Sequence, residues 1–367
     1  MKVLVVGHSL SGGGAEFVTR EWIRYLHDAG EEIVVALLDR GATPALDLDA
    51  GIEQTVVADH GVAHWQRVRS LRRLIRRSRA DVCLAMQTYP ALLTLFATRG
   101  MADRPRVVLS ERNMPSLLLR TEGLAKKTQY ALARKLYRRA EGVIAISHPV
   151  AADLVSALGV LPRRCFVVPN PASAKTRQVI ASPSSSVSTA PLVLTLPFRL
   201  APQKRPTIAL DTARVLQERG YDVHLHFFGR GPLEEQVRAE AVRNGLVTKF
   251  FGWREEWFAA ASPGSVVLLP SHCEGFGNVL VEAAAAGIPS VAWSGALGVA
   301  DAIIPGVTGE FALVDSPAGF ADAIEAASKL HVAAPPGWIA HFSPQESGSL
   351  LRQVLSHVLE DAPATHA

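Results

Sequence analysis

Short apolar runs alternate with amphipathic segments in the first part of the chain. Residues 3–6 are apolar, and the glycine-bearing turn after them leads into a segment whose period predicts a helix at 15–29. The same alternation predicts strands at 33–38, 81–85, 106–109, 142–146 and 166–168, and helices at 64–79 and 124–139. Strands that alternate with helices are typical of an α/β fold with a doubly wound parallel sheet.

The pattern starts again after a small, polar stretch. Residues 176–191 are rich in serine and predict a linker between two domains. Beyond it, strands are predicted at 192–196, 223–228, 249–252 and 266–270, with a helix at 206–218. Ser343 and Pro344 form a cap and a first helical position, which predicts a last helix at 344–360. We therefore expect one domain at 1–175 and another at 192–343.

Composition narrows the class of protein. Hydrophobic residues make up 48% of the chain and charged residues 20%, which is typical of a globular protein without membrane spans. The apolar start is too short for a signal peptide. Cys83, Cys165 and Cys273 are isolated and show neither metal-ligand spacing nor a disulfide framework. We therefore expect a cytoplasmic protein, in a reducing compartment.

Charge is divided unevenly along the chain. Residues 1–175 carry 25 Lys and Arg against 16 Asp and Glu, a net charge of +9, so the remainder carries −5 of the total of +4. Much of the excess falls on the two helices at 64–79 and 124–139. Their basic faces are either solvated surfaces or a patch that contacts anionic lipid at the inner face of a membrane. Nucleic acid is not expected, because few aromatic residues interleave with these charges.

Two cations follow the first strand of the second domain. Arg199 and Lys204 lie in the segment 198–205, and the carboxyl ends of parallel strands line the ligand crevice of such a sheet. An arginine and a lysine beside a helix N-terminus can clamp a diphosphate, one by forked hydrogen bonds and one as a point charge. The alternative is a basic surface loop without a ligand.

Two carboxylates eight positions apart flank a turn and a helix start. Glu274 lies on the turn after the apolar run 266–270, and Glu282 lies in the helix that follows. The amides of a helix N-terminus attract phosphate, and carboxylates can hold sugar hydroxyls. The segment could therefore bind both halves of a nucleotide sugar. The alternative is an ordinary loop acid and an ordinary helix-surface acid.

Consecutive glycines mark the turn after the first strand. Gly12, Gly13 and Gly14 allow a ligand to approach the backbone closely, although a tight turn without a ligand would also explain them. Their spacing does not match the G-x-G-x-x-G fingerprint of dinucleotide-binding domains, which disfavours a nicotinamide dehydrogenase.

Together these segments resemble the GT-B-fold retaining glycosyltransferases of family 4, also called glycosyl transferases group 1. The resemblance covers nearly the whole chain. Its strongest element is the pair Glu274 and Glu282, supported by the segments 198–205, 12–16 and 168–171. It implies two Rossmann-like domains facing a central cleft, with the acceptor on the first, the nucleotide sugar on the second, and the last helix packing back on the first.

The resemblance also assigns roles around the sugar donor. Glu274 is expected near the donor sugar's hydroxyls, where it joins the catalytic set, and Glu282 at the ribose. Arg199 and Lys204 match the catalytic pair that neutralises the departing β-phosphate. The resemblance implies further donor-binding positions, which act through backbone amides, through loops on the donor side or at the nucleobase. They are Gly13, Gly14, Gly229, Trp253, Phe276, Gly277, Asn278 and Val279. No metal and no cofactor are expected, in line with the lack of an Asp-x-Asp pair beside these motifs.

Two positions depart from the family pattern. Phe198 stands where a glycine often precedes the clamp arginine, which narrows the approach to the donor. Arg112 stands about where many members carry a histidine, so an anionic or polyhydroxylated acceptor is expected to meet this arginine instead. The acceptor-side candidates are Gln87, Glu111, Arg112 and Asn113.

The function expected from the sequence is transfer of a hexose-type sugar from a nucleotide diphosphate sugar to an acceptor hydroxyl, with retention. UDP is favoured over GDP as the nucleotide. The acceptor is expected to be a cell-envelope or lipid-linked glycan, with a small natural-product aglycone as the alternative. Two alternative hypotheses place the protein in another functional class: a nucleotide-sugar epimerase, or a non-catalytic nucleotide-sugar-binding protein.

Overall fold

The computed structural model describes residues 1–38, 52–57, 61–119, 123–176 and 191–361. The chain divides into two compact units, one formed by residues 1–171 with the C-terminal segment from Ser343, the other by residues 172–342. Residues 177–190 of the expected linker lie outside the described residues. No helix in the described part of the chain is long and apolar enough to cross a membrane.

A parallel sheet forms the core of the first unit. The described strands are β1 (Lys2–Gly7), β2 (Glu32–Leu37), β3 (Glu53–Val56), β4 (Val82–Met86), β5 (Arg106–Glu111), β6 (Gly142–Ala145) and β7 (Cys165–Val167). Their order in the sheet is β3-β2-β1-β4-β5-β6-β7, and every pair is parallel. The central strands β1 and β4 are almost wholly buried, as expected of strands covered by helices on both faces.

Helices connect these strands. They are α1 (Gly14–Asp28), α2 (His64–Ser78), α3 (Thr88–Ala97), α4 (Pro115–Leu118), α5 (Leu124–Leu136) and α6 (His148–Leu158). The predicted helix 124–139 ends at Leu136 and continues as a 3₁₀ turn at Tyr137–Arg139. The predicted strand 106–109 extends to Glu111, because Ser110 and Glu111 pair with β6.

The second unit repeats the architecture. Its strands are β8 (Leu192–Leu196), β9 (Val223–Phe227), β10 (Val247–Phe250), β11 (Val266–Leu269), β12 (Ser290–Trp293) and β13 (Gly309–Ala312), in the order β10-β9-β8-β11-β12-β13. Its helices are α7 (Pro206–Glu218), α8 (Glu234–Arg243), α9 (Asn278–Ala285), α10 (Pro317–Ala327) and α11 (Pro336–His341). The predicted α/β class, with two doubly wound parallel sheets, is confirmed.

The last helix, α12 (Pro344–Glu360), packs on α1 of the first unit. Ser343 caps it by accepting a hydrogen bond from the Glu346 amide at 3.2 Å. Trp22 of α1 donates its indole N–H to the Ser347 hydroxyl at 2.8 Å. Close contact of the two helices requires Gly348, because a Cβ there would lie 2.1 Å from the ring of Tyr25.

Candidate active site

The loop after β8 holds the two predicted clamp cations. Arg199 is exposed and makes no ion pair with any described residue, whereas Lys204 is half-buried. The loop approaches the β9 loop so closely that a Cβ at Gly229 would lie 1.9 Å from the Phe198 carbonyl oxygen. Gly229 therefore has a packing reason to be glycine. The Phe198 side chain is buried, 5% exposed, so it belongs to the core of the unit.

The turn before α9 is built on glycine backbone. Gly277 has φ of 96°, the left-handed region that side chains other than glycine rarely adopt, and it precedes the first helical residue, Asn278. No side chain caps this helix. The Phe276 side chain is buried against Phe342, with ring centroids 5.2 Å apart, so any contact from Phe276 to a ligand would come from its backbone. Val279 is half-buried in the first turn of the helix.

The structure brings Lys204 and Glu274 together. Their side chains form an ion pair, with Nζ donating to Oε1. Gln203 links the same two segments. Its side-chain amide donates to the Cys273 carbonyl at 2.7 Å, and its backbone carbonyl accepts from the His272 amide at 2.8 Å. A cation and a carboxylate are therefore fixed side by side, next to the glycine turn that starts α9.

Glu282 is buried, 2% exposed, and oriented by two partners. The Trp257 indole N–H donates to Oε2 at 2.6 Å. Lys175, in a 3₁₀ turn at Ala172–Thr176, places its Nζ 3.4 Å from Oε1. A carboxylate has about four acceptor positions, so these two contacts leave capacity for hydroxyl groups.

Sequence reasoning missed Trp257, Lys175 and Gln203. Each of the three contacts a residue that is far away in the chain, so the local sequence pattern does not predict the contact. The one usable clue is that Trp257 shares a loop with Trp253, the tryptophan that was expected at the nucleobase. Trp253 itself is 60% exposed, so its indole is available for stacking.

The glycine turn of the first unit starts α1. Gly13 occupies the N-cap position without a side-chain cap bond, and Gly14 is the first helical residue; both are exposed. This helix start therefore presents backbone to solvent, as a phosphate-binding turn requires.

The acceptor-side candidates cluster at the carboxyl ends of β4 and β5. Gln87 has φ of 72°, which is strained for a residue other than glycine, and its amide donates to the Ser110 carbonyl at 2.8 Å. Asn113 is half-buried in the turn after β5. Of the four candidates, these two are the more accessible, because Glu111 is 1% exposed and Arg112 6% exposed.

Glu111 and Arg112 are engaged inside the first unit. Glu111 accepts hydrogen bonds from the hydroxyls of Tyr137 and Thr88, at 2.8 and 2.9 Å, and burial raises its pKa. Arg112 donates to Asn170 at 2.8 Å and stacks over the ring of Trp22 at 5.2 Å. Burial lowers the pKa of Arg112 to about 10, which leaves it charged at neutral pH. These contacts make both residues a scaffold for the turns around them.

Comparison with known proteins places the chain in a family. A model described as Glycosyltransferase Family 4 matches residues 12–175, and one described as Glycosyl transferases group 1 matches residues 192–329. The two matches together cover most of the chain and both of its units. The chain therefore belongs to the glycosyltransferases of the GT-B fold and is an enzyme.

Individual relatives agree with this assignment. The D-inositol 3-phosphate glycosyltransferase of Kribbella flavida is 30% identical over 219 residues, 54% of this chain and 49% of that protein, so the chain spans about half the length of this relative. The lipopolysaccharide outer core galactosyltransferase WaaB, in its apo form, has a TM-score of 0.76 at 20% identity, over 97% of this chain and 99% of that chain. HepE of Anabaena, in complex with UDP and glucose, has a TM-score of 0.70 at 20% identity, over 99% of this chain and 100% of that chain.

Proposed function

We propose that this glycosyltransferase moves a hexose-type sugar from a UDP-sugar to a hydroxyl of a cell-envelope or lipid-linked glycan, with retention and without a metal. The observation that carries the proposal is the ion pair of Lys204 and Glu274 beside the glycine turn of α9. It supports the proposal because a cation, suited to phosphate, and a carboxylate, suited to hydroxyls, lie side by side next to one helix start, which matches the two parts of a sugar diphosphate.

The chemistry needs stabilisation of a leaving group. When the bond between the anomeric carbon and the β-phosphate oxygen breaks, negative charge develops on the nucleoside diphosphate. In the proposed step Arg199, Lys204 and the amides at the start of α9 supply positive charge for it, and stabilisation of this kind is worth several kcal/mol of barrier. In the proposed step the acceptor oxygen bonds to the anomeric carbon on the face that the phosphate leaves. The hydroxyl proton passes to a phosphate oxygen, so no separate base is needed.

Glu282 supports the donor proposal from the nucleoside side. Its carboxylate is held on one oxygen by Trp257 and on the other by Lys175, so its direction is fixed before a ligand arrives. A preorganised carboxylate is suited to the two hydroxyls of a ribose. The preference for UDP is supported by HepE, whose structure holds UDP and glucose.

An envelope acceptor is supported by one relative and by the surface of the first unit. WaaB is named for the lipopolysaccharide outer core. On this chain, the basic helices α2 and α5 expose Trp65, 55% accessible, and Leu124, 82% accessible. Along α5, a groove of about 520 Å³ combines Tyr130 and Leu158 with cations of that helix. Cations mixed with exposed apolar side chains suit the anionic inner face of a cytoplasmic membrane.

The decisive test of the transferase proposal is a panel of nucleotide sugars incubated with the protein, with and without envelope glycan extracts. Released UDP and GDP are measured by chromatography. We expect slow release of UDP from one UDP-sugar, which accelerates when acceptor is added. Conversion of the donor sugar without any acceptor would indicate an epimerase instead, and nucleotide binding without release or transfer would indicate a binding protein.

The membrane contact has its own test. Retention on vesicles that contain an anionic lipid is compared at low salt with retention on zwitterionic vesicles. Replacing Trp65 and Leu124 together by serine should reduce retention on the anionic vesicles several-fold. Leu161→Ser, at a 37% exposed position of the same unit, serves as the control. If the wild-type protein is not retained on anionic vesicles, the membrane contact is wrong.

A further inference from the structure

A pocket of about 270 Å³ lies in the first unit, and none of its lining residues is among the donor-side or acceptor-side candidates named above. It forms where the strand order of the sheet reverses. The chain leaves β1 toward β2 on one side and leaves β4 toward β5 on the other. His8 follows β1 directly, and Tyr89 is the second residue of α3, the helix after β4. Such a switch point is where open α/β sheets bind their ligands.

Three rings form one wall of this pocket. The rings of His8 and Tyr89 are stacked, with centroids 5.5 Å apart and an interplanar angle of 13°. His64 meets the same tyrosine edge-on, and its Nδ1 lies 2.7 Å from the Tyr89 hydroxyl. The strained Gln87, φ 72°, forms the turn that leads into α3 and Tyr89. Strain of this kind persists where the surrounding structure holds a functional group in place.

The remaining wall is cationic. Arg67 of α2 and Lys126 of α5 line the pocket together with the amide of Gln129. Among the described residues that line it, none is acidic. A planar arginine fork and a lysine point charge are the usual pair for phosphate oxygens, and the imidazoles add hydrogen-bond donors. The volume lies just below the range of about 300–1,000 Å³ for drug-sized ligands, which suits a single small polar group.

We propose that this pocket binds a phosphate ester on the acceptor, so that the enzyme glycosylates a phosphorylated sugar, polyol or lipid headgroup. This rests on the proposed transferase function and names the class of its acceptor. Arg67 and Lys126 contact the phosphate, and Tyr89, held between His8 and His64, positions the organic part of the acceptor. The acceptor phosphate is then a specific ligand for part of the excess positive charge of the first unit.

The test compares two variants that lose the same charge. Arg67→Gln with Lys126→Gln removes the pocket cations, whereas Arg73→Gln with Arg76→Gln removes two exposed cations of α2 that do not line it. Binding of glucose 6-phosphate and of glucose is measured by calorimetry, and retention is measured on vesicles with and without phosphatidic acid. Both variants are checked by thermal unfolding. UDP binding is measured in parallel, with Glu282→Ala as the donor-site variant.

We expect the pocket variant to lose at least about tenfold in affinity for the phosphorylated probe while the control variant keeps it. If the pocket variant loses only its affinity for glucose 6-phosphate, the ligand is a free phosphate ester. If it loses only its retention on phosphatidic acid vesicles, the ligand is a lipid headgroup. Equal losses in both variants, or binding of glucose as tight as that of its phosphate, would overturn the proposal. Glu282→Ala should weaken UDP alone. If the wild-type protein binds no nucleotide, the donor proposal fails independently of the pocket.

Discussion

The indole nitrogen of Trp257 lies 2.6 Å from Oε2 of Glu282, a short hydrogen bond between two buried side chains. The bond ties the loop after β10 to the body of α9. Because a hydrogen bond to an ionised group is stronger than a neutral one, it also fixes the direction in which Glu282 presents its remaining acceptor positions.

Replacing Trp257 by phenylalanine should weaken nucleotide binding. The variant keeps most of the aromatic volume but loses the hydrogen bond to Glu282, and bonds to charged groups are worth about 1.5–3 kcal/mol. We expect the affinity for UDP, measured by calorimetry, to fall at least about tenfold. Trp65→Phe, in the first unit, is the matched control. An unchanged UDP affinity in a folded Trp257→Phe variant would show that this bond does not orient the donor site.

Alanine at either clamp position should slow transfer. Arg199→Ala and Lys204→Ala each remove a cation from the developing charge on the leaving phosphate, so we expect turnover at saturating donor to fall at least about 100-fold. Arg243→Ala, at the exposed end of α8, removes the same charge from the same unit and should leave turnover unchanged. Near-normal turnover in both clamp variants would exclude the assignment of these residues to the phosphate.

The sequence predicted the elements whose patterns are local. The strand β8 and the helix α7 have the predicted bounds, because an apolar run and an amphipathic repeat are read directly from neighbouring residues. The helix α3 was not predicted, since Thr88–Ala97 is apolar on nearly all sides and lacks a helical period. Short strands such as β13 were not predicted either, because four residues are too few to show a clear hydrophobic pattern.

For the candidate site, too, the sequence predicted only the residues that lie in a recognisable local pattern. Glu274, Glu282, Arg199 and Lys204 stood out because each lies near a turn after an apolar run. Their partners did not stand out, because the bond from Trp257 to Glu282 spans 25 positions and depends on tertiary packing. The pocket around Tyr89 combines residues from the turn after β1 and from α2, α3 and α5, so only the topology of the sheet brings it together.

Adding a single methyl group at Gly229 should destabilise the second unit. A Cβ there would lie 1.9 Å from the carbonyl oxygen of Phe198, which is backbone and cannot rotate away. We expect Gly229→Ala to cost about 1–3 kcal/mol, which lowers the unfolding midpoint by several degrees in calorimetry. Gly337→Ala is the control, because a Cβ at that position meets nothing within 4 Å. Equal midpoints for the two variants would contradict the close approach of the two loops.

Acid should destabilise the second unit through His226. This β9 residue is 4% exposed, its ring meets Phe251 edge-on at 5.4 Å, and neither ring nitrogen has a hydrogen-bond partner in the part of the chain that the structure describes. Burial lowers its pKa, and the nearby charges of Lys249 and His224 lower it further. His226 is therefore neutral in the folded protein at pH 7, and its protonation opposes folding.

The sign of the pH dependence follows from linkage. The unfolded chain takes up a proton on this histidine as the pH falls through about 6.5, whereas the folded protein resists it, so stability decreases below that pH. His226→Phe removes this contribution, and its free energy of unfolding should fall less steeply between pH 7.5 and 5.5, by up to about 1.4 kcal/mol per pH unit. Urea unfolding at both pH values measures the difference. His331→Gln, at an exposed position of the same unit, controls for loss of an imidazole. Parallel pH profiles for wild type and His226→Phe would show that His226 does not couple protonation to folding.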